Sequence, residues 1–454
     1  MAGVSSQTTS RSKRSKSEFR VGKVKGYLRG KVWYLCYFEN GKRLRPRVGA
    51  DKSAAERIAA QINGQLAGQA PTFFSFEDIS LKDLRTRWLE HHEHVLRSSL
   101  ATIGRYRTAT DHLLAYASAQ GWSGQASQLT ALHAERFVKY LRSIEVAPNG
   151  HPNSPKRPLR DKGVLFILET CRAMFTYAHK RRHLAPYADN PFSLLDLGRI
   201  PVEDAKPIRL LTADEETRFF EGCNDWERPI FLTLALTGIR PGELVHLLIN
   251  EDLDLDEGIL KVRNKPDLGW QVKTRSERSI PLVTPLRDLL VRHIADRKQG
   301  LVFRRERYRD GVEHQWSLRE QARSWLLESK QSKGELGSRV HRQRTLIKVW
   351  TEAGLIRPER IRLSFIRRAK SIGRADCTAP KIFRHAFATM LQDANVDPLI
   401  RCELMGHSTG EHGDLGMTGV YTHTRAATKR DELTRAMSGA PAFHAAEAAR
   451  ARLG

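Results

Sequence analysis

The chain has 454 residues, with 76 Lys plus Arg against 51 Asp plus Glu, a formal net charge of +25 and an isoelectric point near 10.1. That length allows two or three domains with cores of their own, and that charge makes a polyanion the natural partner. Five scattered cysteines (Cys36, Cys171, Cys223, Cys377, Cys402) and no Cys-x-x-Cys pair argue for reduced thiols in a cytosolic protein, against a disulfide framework or zinc site; with no bilayer-length apolar run or secretory signal, no membrane partner is expected.

The positive charge is segregated. Residues 11–47 hold thirteen basic and two acidic side chains, and residues 304–374 hold nineteen basic and eight acidic. Two such stretches suit phosphate contacts at two places along a nucleic acid.

Residues 1–18 are Ser, Arg and Lys with almost nothing apolar, which predicts a disordered basic tail. Tyr27–Arg29, Val32–Phe38 and Arg43–Arg45 alternate as short strands, with Asn40-Gly41 as a hairpin turn. An apolar helical period follows over 52–66, so residues 19–70 read as a compact basic module. Helical periodicity then runs over 76–95, 100–120, 130–143 and 161–180, making 75–193 a small helical bundle. A linker leads to Thr212-Ala213-Asp214-Glu215, a capping box that opens the next domain, 207–430. An apolar helix from Pro229 stops at Thr237-Gly238, and Pro241 suits the first turn of its successor. Arg240 therefore sits in a corner where its direction is fixed.

Residues 259–263, 270–273 and 278–282 predict a three-stranded meander, with Lys273 at the turn into its last strand. A basic stretch of 303–375 reads as an added element of further helices. Lys381, Arg384 and His385 open another helix, and His407 follows in Met-Gly-His-Ser. Four glycines then break the chain before Tyr421. The alanine-rich tail 431–454 is helical by propensity. The fold class is mainly α with small β-sheets, α+β.

These residues suit transesterification at a phosphodiester. A tyrosine hydroxyl is a poor nucleophile at its free pKa and needs cations converging on the phosphate it attacks. Arginine forks clamp non-bridging oxygens, a lysine on a turn can protonate a leaving oxygen, and a histidine or lysine can take the tyrosine proton. No metal or cofactor is called for. Of ten tyrosines, eight precede residue 190, and Tyr308 has no histidine motif beside it. Elimination leaves Tyr421.

The ordered set resembles the tyrosine recombinase, or phage integrase, family. Thr-Gly-Ile-Arg-Pro-Gly-Glu-Leu is similar to its first arginine box, with Arg240 as a phosphate clamp and Glu243 as its support. Lys273, followed by Arg278-x-Ile280-Pro281-Leu282, resembles the hairpin lysine. Arg384-His385 resembles the second arginine box, with Lys381 standing where the family more often places histidine. His407 and Tyr421 resemble the third position and the nucleophile. The spacings from His407 to Tyr421 and from Lys273 to Arg384 are longer than the family's usual ones.

The resemblance implies a helical core-site DNA-binding domain and a catalytic domain closing as a clamp on duplex DNA, with the 19–70 module similar to arm-site binding domains. It implies a homotetramer on double-stranded DNA, a mobile-element integrase, accessory DNA-bending proteins as possible partners, and a cytoplasmic, nucleoid-associated location. The helical tail could pack onto a neighbouring subunit. A type IB-like topoisomerase and a DNA-binding regulator that lost the chemistry stay open as alternatives.

Overall fold

In the computed structural model, described residues run from 17 to 451, apart from 73, 123, 148–152, 186–187, 204–208, 309–316, 334–337 and 408–423. The chain divides into two compact units, residues 1–206 and 207–454.

The first unit begins with a five-stranded antiparallel sheet of β1 (Glu18–Val21), β2 (Val24–Arg29), β3 (Val32–Glu39), β4 (Lys42–Leu44) and β5 (Arg47–Gly49), ordered β1-β2-β3-β4 with β5 also pairing β3. Asn40-Gly41 turns the β3–β4 hairpin with both residues at positive φ. Helix α1 (Lys52–Ala67), capped by Asp51, packs Ala59 and Ile62 against Val24, Leu35 and Tyr37. The strand period of two thus divides the sheet into a face against α1 and an outward face.

The helical bundle follows. Helices α2 (Leu81–Glu90), α3 (Leu100–Ala119) and α4 (Ala131–Ser143) are capped by Ser80, Ser99 and Thr130. A two-stranded ribbon, β6 (Glu145–Val146) with β7 (Arg157–Pro158), leads into α5 (Asp161–Lys180). Phe137, Phe175 and Phe192 sit at the centre of this core, fully buried.

The second unit opens with α6 (Ala213–Glu221), capped by the Thr212/Glu215 box. It continues through α7 (Glu227–Thr237), α8 (Pro241–Leu244), α9 (Ile249–Asp252), β8 (Leu253–Asp254), β9 (Ile259–Val262), β10 (Arg278–Pro281) and α10 (Thr284–Ile294). The antiparallel sheet is ordered β10-β9-β8. The expected middle strand at 270–273 is corrected here: Val272 donates instead to the Asn264 side chain at 2.9 Å, and residues 273–275 form a turn. The third strand is β8, too short to show as alternation.

Helices α11 (Leu318–Lys333), α12 (Arg339–Glu352) and α13 (Pro358–Ser371) occupy the added basic stretch. They do not act as one insertion. Ile361, Phe365 and Ala369 of α13 lie in the main core with Phe219, Phe231 and Phe383, and the buried Glu227 carboxylate binds Arg367 and Arg368 of α13 at 2.8 and 2.7 Å. Helices α11 and α12 build a separate cluster with Leu248, Leu268 and Leu301.

Helices α14 (Lys381–Asp393), α15 (Pro398–Met405), α16 (Ala426–Met437) and α17 (Pro441–Ala451) complete the unit. The alanine-rich tail packs on its own unit: Ala442, Ala446 and Ala449 join the main core, and Arg450 pairs with Asp288 of α10 at 3.1 Å.

Candidate active site

Helix α7 is buried along nearly its whole length and ends at Gly238, whose φ is +61°; a Cβ there would lie 2.4 Å from the Phe387 ring. Only glycine fits that left-handed, crowded position. The chain leaves it through buried Ile239 and restarts as α8 with Pro241 in the first turn. Arg240 caps this helix. Its backbone N–H donates to Glu243 Oε2 at 2.9 Å and its Nη1 to Glu243 Oε1 at 2.8 Å. The guanidinium is therefore held while a quarter of the side chain, 26%, stays exposed.

Glu243 is the hub. Arg278, buried at the start of β10, donates Nη2 to its Oε2 at 2.6 Å and Nη1 to its Oε1 at 3.4 Å. Arg278 Nε reaches the Leu404 carbonyl of α15 at 3.0 Å. Burial by itself would raise the Glu243 carboxyl; the bonds and charge of Arg278, then those of Arg240, outweigh it and hold the pKa below the usual carboxylate value.

Arg384, in the first turn of α14, completes the frame. Its Nη1 donates to the Gly238 carbonyl at 2.6 Å and its Nη2 to the Met405 carbonyl at 2.5 Å. Nη2 also lies 3.1 Å from His407 Nε2. Helix α15 ends at Gly406 in the left-handed region, and the His407 N–H returns to the Cys402 carbonyl at 3.1 Å. If Nε2 accepts from Arg384, the imidazole proton sits on Nδ1, a tautomer inferred from the bonding. Burial first, then the charges of Arg240 and Arg278, lower Arg384 to about 10 against the opposing pull of Glu243. It stays protonated at neutral pH.

The structure thus brings Arg240, Arg384 and His407 into one corner: Arg240 and Arg278 hold the Glu243 carboxylate, and Arg384 binds the Gly238 carbonyl, two residues before Arg240, and faces His407. Each guanidinium has five N–H donors, more than these bonds use, so the arrangement can take an anion between two fixed forks. Lys381 is exposed at the first position of α14, one turn before Arg384. Burial, then the charges of Lys381 and Arg384, lower the neighbouring His385. Lys273 is exposed on the 273–275 turn before β10. Tyr421 and the glycine-broken segment before it lie outside the described residues. Among the described residues, no group of three or more His, Cys, Asp or Glu is placed to hold a metal ion.

Comparison with known proteins bears on this frame. Residues 209–428 match the phage integrase family, a span that contains every residue of the site. Residues 209–428 are a domain of the tyrosine recombinase family. The chain is 25% identical over 261 residues to tyrosine recombinase XerC of Thermodesulfovibrio yellowstonii, covering 56% of this chain and 69% of that one. It is 27% identical over 271 residues to tyrosine recombinase XerD of Vibrio vulnificus, covering 58% and 70%. The solved structure of the Tn1549 transposon integrase in complex with transposon right end DNA superposes with a TM-score of 0.50 at 18% identity, over 79% of this chain and 99% of that one. At that identity the likeness is one of fold.

In this recombinase the part that sequence reasoning missed is the anchoring role of Arg278. One signal existed: Arg278 and Ile280 share the inward face of β10, and a charge on an apolar face calls for a buried partner. A second basic surface lies on the first unit. The outward face of the sheet carries Tyr27 stacked on Tyr34, with centroids 5.8 Å apart. Exposed Lys25, Arg29, Arg43 and Arg47 surround this pair, and Phe38 is 64% exposed.

Proposed function

We propose that this recombinase cuts and rejoins DNA at specific sites through a 3′-phosphotyrosyl intermediate, integrating or excising a mobile element. The observation that carries the reading is the convergence of Arg240, Arg384 and His407 on a frame built by Glu243 and Arg278. Tyr421 attacks the scissile phosphorus; the new Tyr–O–P bond forms as the bond to the 5′ oxygen breaks. The tyrosine proton goes to His407 Nε2 once its lone pair is released from Arg384, or to Lys381 in its neutral amine form, and Lys273 gives a proton to the leaving 5′ oxygen. Arg240 and Arg384 hold the non-bridging oxygens as charge grows on them, with no reorganisation at the moment of reaction. The freed 5′ hydroxyl then attacks the partner strand's link, which conserves bond energy.

The helical bundle over 75–193 serves as the core-site DNA-binding domain, and the 19–70 sheet module, with its aromatic and basic outward face, as a second, arm-type contact. The working assembly is a homotetramer on two duplexes, with accessory DNA-bending proteins as further partners, in the cytoplasm at the nucleoid. Among the described residues no helix is long and apolar enough to cross a membrane.

The test is incubation with a suicide duplex carrying the sequence that flanks the gene. Wild type should form a covalent protein–DNA adduct and Tyr421→Phe none. An undiminished adduct with Tyr421→Phe overturns the assignment.

A further inference from the structure

The connection between β9 and β10, which carries Lys273, has little regular structure, yet it is gripped from one side by α11 and α12. Trp350 Nε1 of α12 donates to the Leu268 carbonyl at 2.8 Å in a buried contact. Gln343 Nε2 donates to the Gly269 carbonyl at 3.1 Å. Gly269 has φ +70°, and a Cβ there would stand 2.9 Å from Leu346 Cδ1, so the turn fits against α12 with no room to spare. Arg319 of α11 binds Glu251 through two bonds of 2.9 and 2.8 Å and also pairs with Asp267.

The grip extends toward the arginine corner. Trp270 of the connection stacks on His246, with centroids 4.8 Å apart and planes at 19°. The Trp350 ring meets the same imidazole edge-on, also at 4.8 Å. His246 Nδ1 lies 2.7 Å from the Gly242 carbonyl in the helix that Arg240 opens. Burial, first, lowers its pKa to about 4, so at neutral pH the ring is uncharged and Nδ1–H is the donor. Beyond Trp270, Asn264 takes the Val272 N–H at 2.9 Å and gives its amide to the Arg275 carbonyl at 3.0 Å. The Lys273 turn is thereby spanned at both ends.

We propose that α11–α12 is a positioning brace for the lysine: Trp350, with Gln343 beside it, sets how the 273–275 turn presents Lys273, and His246 ties that turn to the Arg240 corner. The effect on cleavage rests on the role given to Lys273 above; the effect on the turn does not. Trp350 touches no reacting atom in this account. It acts by fixing geometry, where a displacement near 1 Å can cost about a hundredfold in rate.

The experiment uses the full chain carrying Trp350→Phe, which keeps a ring against His246 and removes the indole N–H. Amide hydrogen exchange is read at Val272 and Arg275. Single-turnover cleavage is read on the suicide duplex that carries the gene's flanking sequence. Exchange at both amides should rise about tenfold, and cleavage should slow about tenfold with duplex affinity within about twofold. Lys273→Ala added to Trp350→Phe should cost little beyond Lys273→Ala alone, because the brace acts through that lysine. Unchanged exchange at both amides, or losses from the two substitutions that multiply, overturns the proposal. Cleavage at the wild-type rate by Lys273→Ala alone instead refutes the proposed role of Lys273, and the exchange readout still decides the brace. Should Trp350→Phe fail to fold, Gln343→Met, which removes only the bond to Gly269, decides by the same exchange measurement.

Discussion

The two basic surfaces of this recombinase hold their charges in opposite ways. In the second unit, Arg278 and Arg384 spend their donors on a buried carboxylate and on the carbonyls of Gly238, Leu404 and Met405. On the outward face of the N-terminal sheet, Arg29, Arg43 and Arg47 stand exposed beside the Tyr27–Tyr34 stack. A fixed, partly desolvated guanidinium is suited to charge that develops only in a transition state. A solvated one neutralises phosphate and releases counterions, which adds affinity that salt removes. Under the proposed function, the first surface serves rate and the second serves binding.

The largest expected effect lies on the first. Arg384→Ala and Arg240→Ala should each slow single-turnover cleavage by about a thousandfold or more, the scale of a preorganised donor at a growing oxyanion, while duplex affinity falls only severalfold. A gel-shift titration run beside the cleavage assay separates the two. Equal losses in both would erase the distinction between the surfaces.

Glu243→Gln comes next. It removes the carboxylate that Arg278 and Arg240 share and leaves a buried guanidinium without its counter-charge, which should cost about 3 kcal/mol of stability. Denaturant unfolding of wild type and variant measures it. A change below about 0.5 kcal/mol, the scale of an ordinary surface substitution, would mean that Glu243 is not the hub.

Acidification should loosen the same region. The folded carboxyl of Glu243 lies below its ordinary value of 4.5, so its contribution is whole above that value and is lost as pH falls toward the lower folded pKa. His246 acts in an adjoining window. Its ordinary value is 6.5 and its folded value about 4, so between them the unfolded chain binds more protons and stability drops as pH falls. Melting temperatures from pH 7 to 4 should decline, and His246→Gln should decline less steeply than wild type between about pH 6.5 and 4. Parallel curves for the two proteins would remove His246 from the account.

How much of this was legible from residues alone depended on how local each cause was. The Arg240 corner was readable because Gly238 and Pro241 act on neighbouring dihedral angles. The Thr212 cap and helix α5 were readable from spacing for the same reason. The meander was misjudged at Trp270–Lys273 because Trp270 and Val272 alternate as a strand would. Instead the half-buried Trp270 ring stacks on His246, far away in sequence, and the Val272 N–H donates to the Asn264 side chain. Arg278 hid its anchoring role because its partners come from α8 and α15. The division of 303–375 between the main core and a separate cluster was equally out of reach, since both parts are basic and helical.

The smallest effects belong to the sheet face. Arg29→Ala and Arg47→Ala should each lower the slope of log affinity against log salt by about 1 on DNA that engages this module, with core-site cleavage unchanged. Removing residues 1–68 should likewise spare core-site cleavage. Loss of cleavage in that truncation would show that the two surfaces do not divide their work.

The most direct measurement is the location of the covalent link. Wild type trapped on a suicide duplex should, after nuclease and protease digestion and mass spectrometry, carry its nucleotide remnant on the peptide containing Tyr421. A remnant on the peptide containing Tyr308, or a trapped complex with no tyrosine modified, would contradict the account.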